Sequence, residues 1–224
     1  MALERPSLPV WIRILIVLCC AIEAAFWLAP VLGFDQPLRA VVNLVGAFWA
    51  PVFQSGTGLY PGQPLVMFLT YGLLHGGLMH LAMNMFSLVA VTRELARFMG
   101  PQRMGLVYLV SQIAAALAFA WMSSLTAPMV GASGAIFGLA GALIGQAIKW
   151  RRHNAMSMRP IWQTVLIIGG LNIALTFAVP NIAWQAHLGG AVAGFVLGLL
   201  LPLRPELRRS HRSRFPTINP RNTG

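Results

Sequence analysis

Long apolar runs alternate with short polar connections along this chain. Six runs stand out: Val10–Leu32, Leu65–Val91, Met104–Leu125, Gly131–Ile148, Ile161–Val179 and Trp184–Leu203. Most approach the ~20 residues that a helix needs to cross a ~30 Å hydrocarbon core. A segment in lipid must satisfy its own backbone hydrogen bonds, so the pattern predicts six membrane helices. The connection from Gly33 to Pro64 is longer and carries Leu38, Val41, Val42, Leu44, Val45, Phe48, Trp49, Val52 and Phe53. It is too apolar for a solvated linker. It predicts a partly helical hairpin lying in the outer leaflet, with Trp49 at the membrane interface. No internal repeat is evident, which argues against transporter folds built from duplicated halves.

Composition agrees with a membrane protein. Of 224 residues, 57% are hydrophobic and 9% charged, with a mean hydropathy of +0.70; soluble domains carry roughly 25% charged residues. Glu23 interrupts the first run and no small-residue cleavage pattern follows it, so this run reads as a span and not as a removable signal peptide. Cys19 and Cys20 are neighbours, cannot form an ordinary disulfide with each other, and read as small apolar filler. No metal site is expected.

The charges predict orientation. Lys and Arg collect before the first span (Arg5), between the second and third (Arg93, Arg97, Arg103), between the fourth and fifth (Lys149, Arg151, Arg152, Arg159), and after the sixth (Arg204, Arg208, Arg209, Arg212, Arg214, Arg221). The alternate connections hold only Arg39. The positive-inside rule then puts both termini in the cytoplasm, as expected of a multi-pass protein of the cell inner (plasma) membrane. The net charge of +11 needs no nucleic acid to explain it. Residues 1–9 read as a cytoplasmic N-terminus, 10–203 as the six-helix domain, and 204–224 as a basic, disordered cytoplasmic tail.

Depth brings polar side chains together. Counted from the cytoplasmic ends of their spans at ~1.5 Å per residue, Ser133 lies ~24 Å, His187 ~25 Å and His80 ~20 Å above the inner face. Two spans also carry small-residue stripes, Gly134, Gly138, Gly141 and Gly145 in the fourth and Gly190, Gly194 and Gly198 in the sixth. Such stripes let helix backbones touch. His187 shares a face with Gly190, so that stripe turns the histidine toward the fourth helix. In "HGGLMHLAMN", His80 and Asn84 are four apart and share a face, whereas His75 turns away by about 140° on a continuous helix. His80, Asn84 and the backbone N–H of Ser133 make a set of donors suited to a developing oxyanion. On this reading Ser133 is either a packing residue or a nucleophile.

"HGGLMHLAMN", "GASG" around Ser133 and "AHLGGAVAG" around His187, in this order on these spans, resemble the rhomboid family of intramembrane serine proteases. The resemblance covers residues 10–203. It implies an all-α, six-transmembrane-helix rhomboid-like bundle with a membrane-embedded first outer loop. It further implies Ser133 as nucleophile, His187 as base, and His80 and Asn84 with backbone N–H groups as oxyanion hole. Gly131 belongs to the family's Gly-x-Ser-Gly motif, Gly190 and Gly194 to its packing stripe, and Phe137 takes the place of an aromatic, commonly Tyr, beneath the histidine ring. Where the family often has Trp-Arg, this chain has Val66 and Met67.

The expected activity is peptide-bond hydrolysis in transmembrane or membrane-anchored substrates by a Ser-His dyad. No cofactor, nucleic acid or obligate oligomer is implied, and the partners are membrane-protein substrates and the lipid bilayer. The alternative is an inactive rhomboid-like protein that binds membrane clients. Mid-span Glu23 needs a partner; Gln112 and Asn172 are the candidates, or serve as links between helices. None of the five carboxylates is placed to hold His187.

Overall fold

The computed structural model describes residues 7–34, 37–123, 127–178, 182–205 and 207. Of the expected tail, residues 204, 205 and 207 are described, with the Arg204 N–H donating to Phe98 O (2.9 Å); the remainder of the tail and the N-terminal Arg5 lie outside the described residues. Among the described residues the chain is helical: α1 (Val10–Val31), α2 (Leu38–Gly46), α3 (Ala50–Ser55), α4 (Gln63–Thr70), a 3-10 turn (Tyr71–Leu73), α5 (Leu78–Leu95), α6 (Pro101–Met122), α7 (Ser133–His153), α8 (Arg159–Ala178) and α9 (Trp184–Leu200). Pro101 opens α6 in the first turn, where its missing N–H costs nothing. Arg151, Arg152 and His153 close α7 beside its partly negative end. Helices α1 and α6 are each long and apolar enough to cross a membrane.

The second apolar run is not one helix. The α4 segment meets α5 at 83°, so the expectation of a continuous span over Leu65–Val91 is corrected. The break falls at Gly76 and Gly77. Gly77 caps α5 with φ +128° and ψ 172°, a region open essentially to glycine alone. The 140° separation of His75 from His80 assumed an unbroken helix and does not hold. The two rings instead meet edge to face, with centroids 5.3 Å apart.

Helix α7 lies at the centre, packed by α9, α6 and α5. The two glycine stripes face each other: a Cβ on Gly194 would run into the carbonyl of Gly138, and one on Gly190 into that of Gly134. On its other side α7 meets α6, where Ala115 lies over Gly134 and Ser111 over Gly138. Leu81, Met85 and Leu88 of α5, Ile12 of α1 and Met104 of α6 complete the core with Ile136 and Leu139. Helix α8 is peripheral; none of its described side chains is buried, and Gly169 and Gly170 face open space.

The Gly33–Pro64 connection is partly helical, through α2 and α3. Three side chains satisfy the last carbonyls of α2, which have no partner within their helix. Gln63 donates to Leu44 O (2.8 Å), the Tyr60 hydroxyl to Val45 O (3.0 Å), and the Thr70 hydroxyl to Gly46 O (2.6 Å). The Trp49 indole donates inward to Asn43 O (3.0 Å) and its ring packs against the loop's own apolar clusters. Met67 is fully buried with Phe48, Phe68 and Tyr71.

Glu23 finds neither expected partner. Its buried carboxylate accepts two bonds from Arg39 (2.6 and 3.0 Å), whose guanidinium also donates to His75 O (2.6 Å) and lies over the Phe26 ring. Gln112 donates instead to Phe68 O and Leu69 O. Asn172 reaches His187.

Candidate functional site

The segment before α7 is held from both sides. Phe48 and Met129 exchange backbone hydrogen bonds of 2.9 Å, and the Gly131 N–H donates to Tyr71 O (2.9 Å). The Tyr71 hydroxyl in turn donates to Gln112 O on α6 (2.7 Å). The chain turns into the helix at Gly131, where φ is +120°. The first helical bond runs from Ile136 N–H to Ala132 O (3.0 Å), so the N–H groups of Ser133, Gly134 and Ala135 precede the helical ladder. Ser133 is the first residue of α7, at its partly positive end.

Ser133 and His187 meet directly. The serine Oγ stands 2.9 Å from His187 Nε2, and both residues are half-buried. His187 lies in the first turn of α9, carried to α7 by the facing glycine stripes. The Phe137 ring, one turn along α7 from Ser133, stacks on the imidazole at 4.4 Å between centroids and 13° between planes. The other ring nitrogen, Nδ1, stands 2.8 Å from Asn172 Oδ1 of α8.

His80 approaches from α5. Its Nδ1 accepts the Gly76 N–H (3.2 Å), so in the neutral ring Nε2 carries the hydrogen. That edge lies against Gly131: a Cβ there would stand 2.9 Å from both Cε1 and Nε2. Asn84 is buried one turn further on, and its amide donates one hydrogen to His80 O (2.8 Å), leaving the second. The structure therefore gathers Ser133, His187, Phe137, Gly131 and His80 at one end of the bundle, with Asn84 beneath. His75, buried beside His80, carries the Arg39 contact on its carbonyl.

Sequence reasoning missed two features of the site. The Phe48–Met129 pairing leaves no local signal, because both residues read as ordinary apolar positions. Asn172 carried a signal in its depth: about thirteen residues beyond Arg159 puts it ~20 Å up, in the layer of Ser133 and His187.

Residues 62–204 match the family model described as "Rhomboid domain". RHOMBOID-like protein 5 of Arabidopsis thaliana is 37% identical over 135 residues, 59% of this chain and 43% of that protein. Rhomboid protease GluP of Bacillus subtilis (strain 168) is 38% identical over 135 residues, 60% of this chain and 26% of that protein. Rhomboid-related protein 3 of Homo sapiens is 26% identical over 219 residues, 92% of this chain and 52% of that protein. The chain thus spans roughly a quarter to a half of the length of these relatives. With a matching domain over more than half of its residues and a helical bundle of membrane-spanning character, this chain belongs to the rhomboid family.

Proposed function

We propose that this chain is an intramembrane serine endopeptidase that cleaves transmembrane or membrane-anchored substrates. The observation that carries the reading is the 2.9 Å contact between Ser133 Oγ and His187 Nε2 on a histidine stacked by Phe137. His187 Nε2 takes the hydroxyl proton as Oγ attacks the scissile carbonyl carbon. The carbonyl oxygen becomes an oxyanion, met by His80 Nε2–H, the free Asn84 amide hydrogen and the Ser133 N–H. Collapse breaks the C–N bond, and His187 gives its proton to the departing amine. Water, activated by the same imidazole, hydrolyses the ester and frees the serine.

A helical substrate hides its carbonyls in its own hydrogen bonds. Helix-weakening residues near the cut therefore favour cleavage. The basic connections favour cytoplasmic termini and an active site opening to the opposite side of a cell inner membrane. A client-binding protein without activity has no need of a serine and a histidine in hydrogen-bonding contact. Purified protein should label with a fluorophosphonate probe and cleave a model transmembrane substrate. Ser133→Ala should abolish both while leaving the fold intact, and cleavage persisting in that variant would overturn the reading.

A further inference from the structure

We infer that Asn172 is a positioning residue for His187, so that the site works as a Ser133–His187–Asn172 relay in which a neutral amide stands where soluble serine hydrolases place a carboxylate. The inference rests on the proposed serine-hydrolase reading. Its basis is the 2.8 Å contact between Asn172 Oδ1 and His187 Nδ1, on the far side of the ring from Ser133.

The chemistry follows from hydrogen counting. An amide oxygen only accepts, so Nδ1 must carry the hydrogen of the neutral imidazole. That leaves Nε2 with its lone pair, and the Ser133 hydroxyl must then donate to it. This is the tautomer in which the histidine can take the serine proton. The reverse tautomer would turn Nε2–H toward Oγ and block the first step. Stacking by Phe137 restricts the plane of the ring but is indifferent to which nitrogen carries hydrogen. Asn172 therefore supplies what the aromatic ring cannot. When His187 becomes an imidazolium during attack, Nδ1–H keeps its acceptor and the amide dipole opposes the new charge. In lipid an amide also avoids the desolvation penalty of a carboxylate.

The residue reaches the site from α8, none of whose described side chains is buried. Replacing Asn172 consequently removes the acceptor without opening a packed core.

The test compares Asn172→Leu, which can neither donate nor accept, with Asn172→Asp, which presents acceptor oxygens. Cleavage of a transmembrane substrate is measured across pH, per folded protein. Asn172→Leu should lower kcat about tenfold or more with little change in KM, because the acid-base step and not substrate binding is impaired. Asn172→Asp should recover much of that loss. It should also move the acidic limb of kcat/KM to higher pH by about one unit, since a carboxylate raises the affinity of the facing imidazole for a proton. Asn172→Ala replaces the leucine variant if the latter does not fold. Wild-type kcat in the folded leucine or alanine variant, or an aspartate variant no better than leucine with an unmoved acidic limb, would overturn the inference. Such a result alongside an inactive Ser133→Ala removes only the role of Asn172, whereas an active Ser133→Ala removes the hydrolase reading itself.

Discussion

The imidazole of His80 rests on the open face of Gly131, two residues before Ser133. A methyl group at residue 131 would stand 2.9 Å from Cε1 and Nε2 of the ring. Gly131 is thus required twice, for its φ of +120° and for the space that the His80 ring occupies against it. Gly131→Ala should displace His80, cost about 1–3 kcal/mol of stability from backbone strain, and reduce turnover by about 10²-fold, the loss expected when one oxyanion donor is misplaced. Thermal unfolding in detergent and turnover per folded protein check the two effects separately. Full turnover in the alanine variant would contradict the placement.

His80 and His75 touch, yet their variants should differ. His80→Ala removes the Nε2–H donor and should lower kcat more than it changes KM, as should Asn84→Ala. His75→Ala should be milder in kcat, because its ring lies beyond His80 and its carbonyl contact with Arg39 survives the substitution. Steady-state kinetics on one transmembrane substrate distinguish them, and equal losses in His75→Ala and His80→Ala would contradict the ordering.

Contact between α7 and α9 delivers His187 to Ser133. A side chain at residue 194 points at the carbonyl of Gly138, backbone that cannot swing aside. Gly194→Val should separate the helices, cost about 1–3 kcal/mol, and slow fluorophosphonate labelling of Ser133. Gly169→Ala on α8, where a Cβ meets nothing within 4 Å, should change neither by much. Equal behaviour of the two variants would refute the role of the stripe.

The Glu23–Arg39 pair joins α1 to the first helix of the loop and, through His75 O, to the segment leading into α5. Arg39→Met leaves a buried carboxyl without its cation and should destabilise by about 3 kcal/mol or more. The double replacement Glu23→Leu with Arg39→Met should recover most of that loss, since removing both partners of a buried pair is far less costly than removing one. Denaturation midpoints of the wild type, Arg39→Met, Glu23→Leu and the double variant give the coupling, and strictly additive losses would remove it.

Topology can be read chemically. In a background with Cys19→Ala and Cys20→Ala, a cysteine at exposed Thr57 should label from outside intact cells, and one at Ser213 only after the membrane is opened. The opposite pattern would reverse the orientation.

The sequence by itself determined the features that depend on local chemistry and periodicity. Apolar length set α1 and α6 as helices able to cross a membrane, because lipid leaves the backbone no alternative. The glycine spacings of α7 and α9 announced a close helix pair, because only residues without a Cβ permit that approach. Depth counting put Ser133, His187 and His80 in one layer, because helical rise is nearly constant. The tertiary structure decided everything that required a choice among distant partners. The break at Gly76–Gly77 turned what read as one span into two helices at 83°, bringing His75 beside His80. Glu23 had several polar groups at plausible depth, and the loop brought it Arg39. Asn172 read as a partner for Glu23 or a link between helices, and the placement of α8 put its carbonyl oxygen on His187. A side chain's composition states which bonds it needs, but rotation of a helix about its own axis decides which neighbour supplies them, and packing against the rest of the chain sets that rotation.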